Sequence, residues 1–201
     1  MGPVELTFFI VLALFAFIGA VRGVGRELGV TLMLLIGLMV LLLLDQYLLD
    51  DIYRFLNILF PGNTALQTSI IALSYTAFML LIAYISYEGR TISFSSVPIL
   101  SDLVRSTGGS AGTFAGFLTG IINGYLLWGT IWYYLACANW PLLRITPPFT
   151  DLYYAISAIL PPEIFKWYYV VVLIVMLLII RVWTLAMFFT GITDCSIRYC
   201  W

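Results

Sequence analysis

Gly108, Gly112, Gly116, Gly120 and Gly124 recur at every fourth position of the stretch GGSAGTFAGFLTGIINGYLLW. In water, a glycine inside a helix costs about 1 kcal/mol against alanine, through backbone entropy. In lipid the same residue lets two helix backbones come close, and small residues four apart drive helix association. Four such steps span roughly 24 Å at about 1.5 Å per residue, most of a hydrocarbon core about 30 Å thick. One face of a membrane helix is therefore reserved for packing on another helix.

Composition points the same way. Of 201 residues, 63% are hydrophobic and 9% charged, whereas a soluble domain carries about a quarter charged residues. Strands of an outer-membrane barrel alternate weakly over roughly ten residues. Here the apolar runs are long and unbroken, so the expected fold is all-α and polytopic.

Five segments approach the roughly 20 residues a span requires: 6–21, 28–44, 66–87, the glycine-bearing 112–136, and one from Phe165 to a point between Ile180 and Phe189. The expected organisation is a four-helix unit over 1–137, an outer interfacial loop or helix over 138–163, and a fifth span with a cytoplasmic tail over 164–201. Arg22, Arg26, Arg90, Arg105, Arg181 and Arg198 fall on one side of these spans, and Arg54, Arg144 and Lys166 on the other. Cations mark the cytoplasmic side, which places the N-terminus outside and the C-terminus inside. MGPVE lacks the positive region that opens a cleaved signal peptide, and Leu6 stands where myristoylation needs Ser or Thr.

The connection ANWPLLRITPPFTDLYYAISAILPPE has a helix start at Thr150-Asp151 and closes at Pro161-Pro162. Trp140, Phe149, Tyr153 and Tyr154 suit the headgroup level. A short interfacial helix and a loop with apolar patches both fit it.

The absences exclude much chemistry. The chain has no histidine, which removes His-ligated haem and zinc and Ser-His catalysis. Cys137, Cys195 and Cys200 form no CxxC pair, and no strand precedes a Gly-rich phosphate loop. The chain is expected to be no enzyme, with no cofactor and no metal. Its expected partners are the lipid bilayer and other membrane subunits or a second copy, not nucleic acid.

Ionisable groups inside the membrane are functional candidates. Arg181 is the one such group expected, and snorkelling into the headgroups is favoured for it. A transporter is expected to show buried acids or broken helices, and lack of them counts against a transporter or channel. Asn123, one turn beyond Thr119, sits mid-span and is read as a hydrogen-bonding link to a neighbouring helix. The turn Arg22-Gly23-Val24-Gly25-Arg26-Glu27 reads first as a positive anchor with Glu27 complementing a helix dipole. It also offers a surface for a cytoplasmic partner or anionic lipid.

RGVGRE, after a first span that Glu5 precedes, resembles the RGxxRE turn of the colicin V production (CvpA) family. Asp102-Leu-Val-Arg105 leading into the glycines is similar to that family's second motif, an acidic and a basic residue before GxxxGxxxG. The resemblance covers residues 5–136 and carries Arg22, Gly23, Arg26, Glu27, Arg105, Gly112, Gly116 and Gly120. It implies a small protein of the bacterial cytoplasmic membrane, tied to bacteriocin export and envelope maintenance. The fifth span and the loop before it depart from the family pattern.

The glycine face needs a small-residue partner. The third span offers Ala65, Ser69, Ala72, Thr76 and Ala83, and the first Ala13, Ala16, Gly19 and Ala20. Spans one, three and four are therefore expected at the centre. The Leu-rich second span, Leu34 included, and the fifth are expected to face lipid or another protein. The functional expectation is a non-enzymatic protein of the CvpA type, acting through helix contacts in envelope homeostasis or export. The alternative is an accessory subunit of a respiratory or photosynthetic membrane complex.

Overall fold

The computed structural model describes residues 3–88, 110–141, 150–180 and 182. Every regular element among them is a helix: α1 (Pro3–Arg22), α2 (Val24–Tyr47), α3 (Leu49–Leu59), α4 (Thr64–Glu88), α5 (Ser110–Cys137), α6 (Asp151–Ser157), α7 (Pro161–Ile164) and α8 (Trp167–Ile180). Four of them, α1, α2, α4 and α5, are long and apolar enough to cross a membrane. The chain is a polytopic membrane protein. The described part of the fifth apolar segment is α8, with 14 residues. Arg181, Cys195 and Cys200 lie outside the described residues.

Local chemistry sets the breaks. Gly23, at φ 80°, is the single residue between α1 and α2, and only glycine adopts that backbone freely. The second turn uses Gly62 at φ 76°. There the Asn63 side chain accepts from the Leu66 amide at 3.1 Å and caps α4, while the Gln67 side-chain amide donates to the Phe60 carbonyl at 2.9 Å. The acidic stretch DQYLLDDIYR lies between the second and third apolar segments. From Leu49 it forms α3, whose Phe55, Ile58 and Leu59 are exposed in the manner of a helix lying at an interface.

The bundle is built around α5, which packs on α1, α2 and α4, with α1 as its most extensive neighbour. Residue pairings give the directions. Gly19 meets Gly116 and Leu12 meets Gly124, so α1 runs antiparallel to α5. Glu27 and Asp45 meet Asn123 and Tyr134 in the same order, so α2 runs parallel to it.

The Leu-rich second span corrects the expectation of a lipid-facing helix. In the apolar windows of α2 and α5, 56% of residues are buried, against 28% in α1 and α4. Leu34 is fully buried, with Leu32, Leu38 and Leu41. Leucine is not excluded from a membrane core, because close packing of large side chains supplies dispersion contacts too. Gly37 lets α2 approach α4, where an added Cβ would sit 3.3 Å from Met79 Sδ. On α4 the buried residues are Gln67, Ile71, Ala72, Tyr75, Met79, Ala83 and Ser86. Of the small-residue row, Ala72 and Ala83 are among them, Ser69 and Thr76 are half-buried, and Ala65 is exposed.

The connection before α8 is also less superficial than expected. Thr150 caps α6 by accepting from the Tyr153 amide at 3.2 Å. Trp140 and Tyr153 are buried rather than displayed: Trp140 Nε1 donates to Tyr153 Oη at 3.1 Å, and Trp132 packs on both rings. Pro161 at the start of α7 sits on Gly129, where a Cβ would come within 2.6 Å of the proline ring. Tyr154 is exposed, and Phe149 lies outside the described residues.

Candidate functional site

The RGVGRE segment and the glycine series meet at the Gly23 end of the bundle. An ideal Cβ on Gly19 would lie 2.8 Å from Gly120 Cα, and one on Gly116 would lie 3.2 Å from Gly23 Cα. One on Gly120 would lie 3.1 Å from Ala16 Cα, and one on Gly124 2.9 Å from Phe15 Cβ. Three of these four obstacles are backbone atoms, which cannot rotate away. Gly112 is buried on the same helix, while Gly108, Asp102 and Arg105 lie outside the described residues.

Beside this contact sits a carboxylate that the sequence reading did not place in the interior. Glu27, in the first turn of α2, is fully buried. Its Oε2 accepts from Asn123 Nδ2 at 2.8 Å and from Tyr87 Oη at 3.0 Å. Asn123 Nδ2 also donates to the Glu27 carbonyl at 3.1 Å. The Thr31 hydroxyl lies 2.7 Å from Asn123 Oδ1 and 3.0 Å from the Glu27 carbonyl, so its one proton goes to one or the other. Asn123 thus directs both ends of its side-chain amide to α2. Thr119 stays out of the cluster and donates to Ala115 of its own helix at 2.8 Å.

Arg22, the last residue of α1, supplies the compensating charge. Its Nε is 3.6 Å from Glu27 Oε1, and its guanidinium carbon sits 4.5 Å from the centre of the Tyr87 ring. That stacking and the ion pair keep the cation against the bundle. Two buried atoms stay without a hydrogen-bond partner, Arg22 Nη1 and Glu27 Oε1. Arg26, by contrast, is exposed. The cluster therefore ties α1, α2, α4 and α5 together through one acid. Buried acids are present after all, so a lack of them no longer counts against transport.

At the Tyr47 end, α2, α4 and α5 carry a second acid. Tyr134 Oη donates to Asp45 Oδ2 at 2.6 Å. The Tyr75 hydroxyl faces the same carboxylate but falls short of hydrogen-bond geometry and has no partner. A third acid, Glu5 on α1, is buried and accepts from the Thr150 hydroxyl, which pins α6 to the start of α1. Sequence reasoning missed Tyr87, Thr31, Asp45, Tyr75 and Tyr134 as site residues. The available signal was spacing: Glu27 and Thr31 share a helix face at i, i+4. Among the described residues no group of acids and cysteines could hold a metal ion. No family model, curated protein or solved structure matches the chain.

Proposed function

We propose that this chain is a non-enzymatic integral membrane protein of the colicin V production type, which acts in envelope homeostasis or export through helix contacts with other membrane proteins. The observation that supports this reading most is the meeting of its two motif segments. Arg22, Gly23 and Glu27 come from one, and Gly116 and Gly120 from the other. They build a single locked joint of backbone contacts and buried polar contacts. Polar contacts from Glu27 to three other helices favour a fixed scaffold over a moving part. In this reading the glycine face is the seam of the bundle, α8 with the residues after it completes a fifth span, and the Gly23 end faces the cytoplasm of a bacterial cell.

A second reading, an accessory subunit of a larger energy-converting membrane complex, draws on α8. Val170 and Ile174 are buried, but Val172, Val175, Met176, Ile179 and Ile180 leave an apolar flank exposed, open to lipid or to a neighbouring subunit. Copurification after cross-linking in native membranes separates the two. Recovery of the chain with envelope or export proteins, or as copies of itself, is expected. Stoichiometric recovery with a cofactor-bearing complex would overturn the first reading in favour of the second.

A further inference from the structure

The acid at the Tyr47 end lines a cleft of about 240 Å³, together with Tyr53, Thr68, Tyr133, Tyr134 and Cys137. Its walls come from four helices, α2 through α5. The volume lies below the roughly 300–1,000 Å³ of pockets for drug-sized ligands, so it suits a small group. Tyr133 and Tyr134 stand at 83° to one another with centres 5.2 Å apart, and Tyr75 meets Tyr134 at 88° and 4.7 Å. Rings set at right angles form the corner of a box.

The charge balance at this corner is incomplete. Asp45 is half-buried, and among the described residues no basic side chain pairs with it. Lys166 is exposed and lines a separate cleft with Gln46 and Leu42. Glu163 adds its negative charge at Tyr133 and Cys137. Tyr75, more than nine-tenths buried, turns its unpartnered hydroxyl toward Asp45. The Tyr53 hydroxyl lies 3.5 Å from Thr68 Oγ1, a loose contact that leaves it able to accept. A buried carboxylate is costly unless a cation or further donors complete it. Tyrosine rings lining a cleft beside a carboxylate suit an ammonium group, which aromatic rings and negative charge both attract.

We propose that this cleft binds an ammonium group, carried either by a phospholipid headgroup or by a free small amine. The N–H groups of a primary ammonium reach Asp45 and the Tyr53 hydroxyl, and its carbon chain lies against the tyrosine rings. The place fits a headgroup as well, because Asp45 is in the last turn of α2 and Cys137 ends α5.

The test uses the purified full chain. Native mass spectrometry compares retention of phosphatidylethanolamine with that of phosphatidylglycerol and of N-acetyl phosphatidylethanolamine, which both lack the ammonium. A thermal shift in detergent is measured with free ethanolamine. Retention at least tenfold above both ammonium-free lipids, lost in Asp45→Asn and kept in the exposed-site control Asp50→Asn, is the expected result for a headgroup. A thermal shift with ethanolamine, with equal retention of the three lipids, assigns a free amine instead. Equal retention with no shift overturns the proposal, and so does ammonium binding left unchanged in Asp45→Asn. The comparison with the two ammonium-free lipids needs no variant, so a failure of Asp45→Asn to fold leaves the test intact.

Discussion

Two acids on α2 make opposite use of the same three helices. Glu27 meets Tyr87 of α4 and Asn123 of α5, and Asp45 meets Tyr75 of α4 and Tyr134 of α5. Asp45 follows Glu27 by 18 residues, while the partners are 12 apart on α4 and 11 on α5. At about 1.5 Å per residue this is about 27 Å along α2 and about 17–18 Å along the others. The decisive difference is the fourth member. Arg22 closes the Glu27 cluster, whereas no described cation closes the Asp45 one, and a cleft opens there instead. Glu27, supplied with its own cation, works as a joint; Asp45, left without one, lines the cleft proposed as a receptor.

The largest effect is expected where the joint rests on backbone. Gly120→Leu should prevent assembly of the bundle, because its side chain would occupy the place of the Phe15 and Ala16 main chain. Overpacking of a compliant core costs about 1–3 kcal/mol, and a rigid backbone obstacle exceeds that. Leu14→Phe on the exposed face of α1 should leave the thermal midpoint in detergent nearly unchanged. Similar midpoints for the two variants would remove the backbone contact from any role in holding the bundle.

The next effect addresses the charge pair. Glu27→Ala strands the Arg22 guanidinium and the Tyr87 and Asn123 donors, a loss of about 3–5 kcal/mol for breaking a buried pair. Replacing Arg22 by Ala as well should recover part of it, since the stranded charge is then gone. Unfolding followed by loss of Trp fluorescence reads both variants. Additive losses in the double variant would show that the pair is not coupled.

How far these features are legible in the sequence depends on whether they are local. A four-residue glycine period is a property of one segment, so Gly116 and Gly120 stand out at once. Which helix they meet is not, because α1 and α4 both carry small residues, and only the Phe15, Ala16 and Gly19 face lies against them. The core position of α2 is illegible for a different reason. In lipid an all-apolar helix meets similar surroundings on every side, so Leu34 carries no mark of its burial. Glu27 sits within a turn and a half of two arginines and reads as an interfacial charge; its burial is decided by Tyr87 and Asn123, 60 and 96 residues away. The helix α3 was readable in principle. Leu48, Ile52, Phe55, Leu56 and Leu59 follow a helical period, but three nearby acids give the stretch the look of a loop.

The smallest effect sharpens the contrast between the two acids. Asp45→Asn keeps an oxygen to accept from Tyr134 and gains an N–H for the Tyr75 hydroxyl, so a neutral side chain fills the site without stranding anything. With no ammonium compound present, its cost should stay within about 1 kcal/mol, the scale of one hydrogen bond between membrane helices. The matched change Glu27→Gln keeps shape equally well, yet it leaves Arg22 without its counter-charge and should cost several times more. Thermal midpoints of the two variants, measured side by side in amine-free detergent, give the ratio directly. A loss in Asp45→Asn equal to that in Glu27→Gln would mean that Asp45 is a second joint, whose charge the bundle already balances by other means.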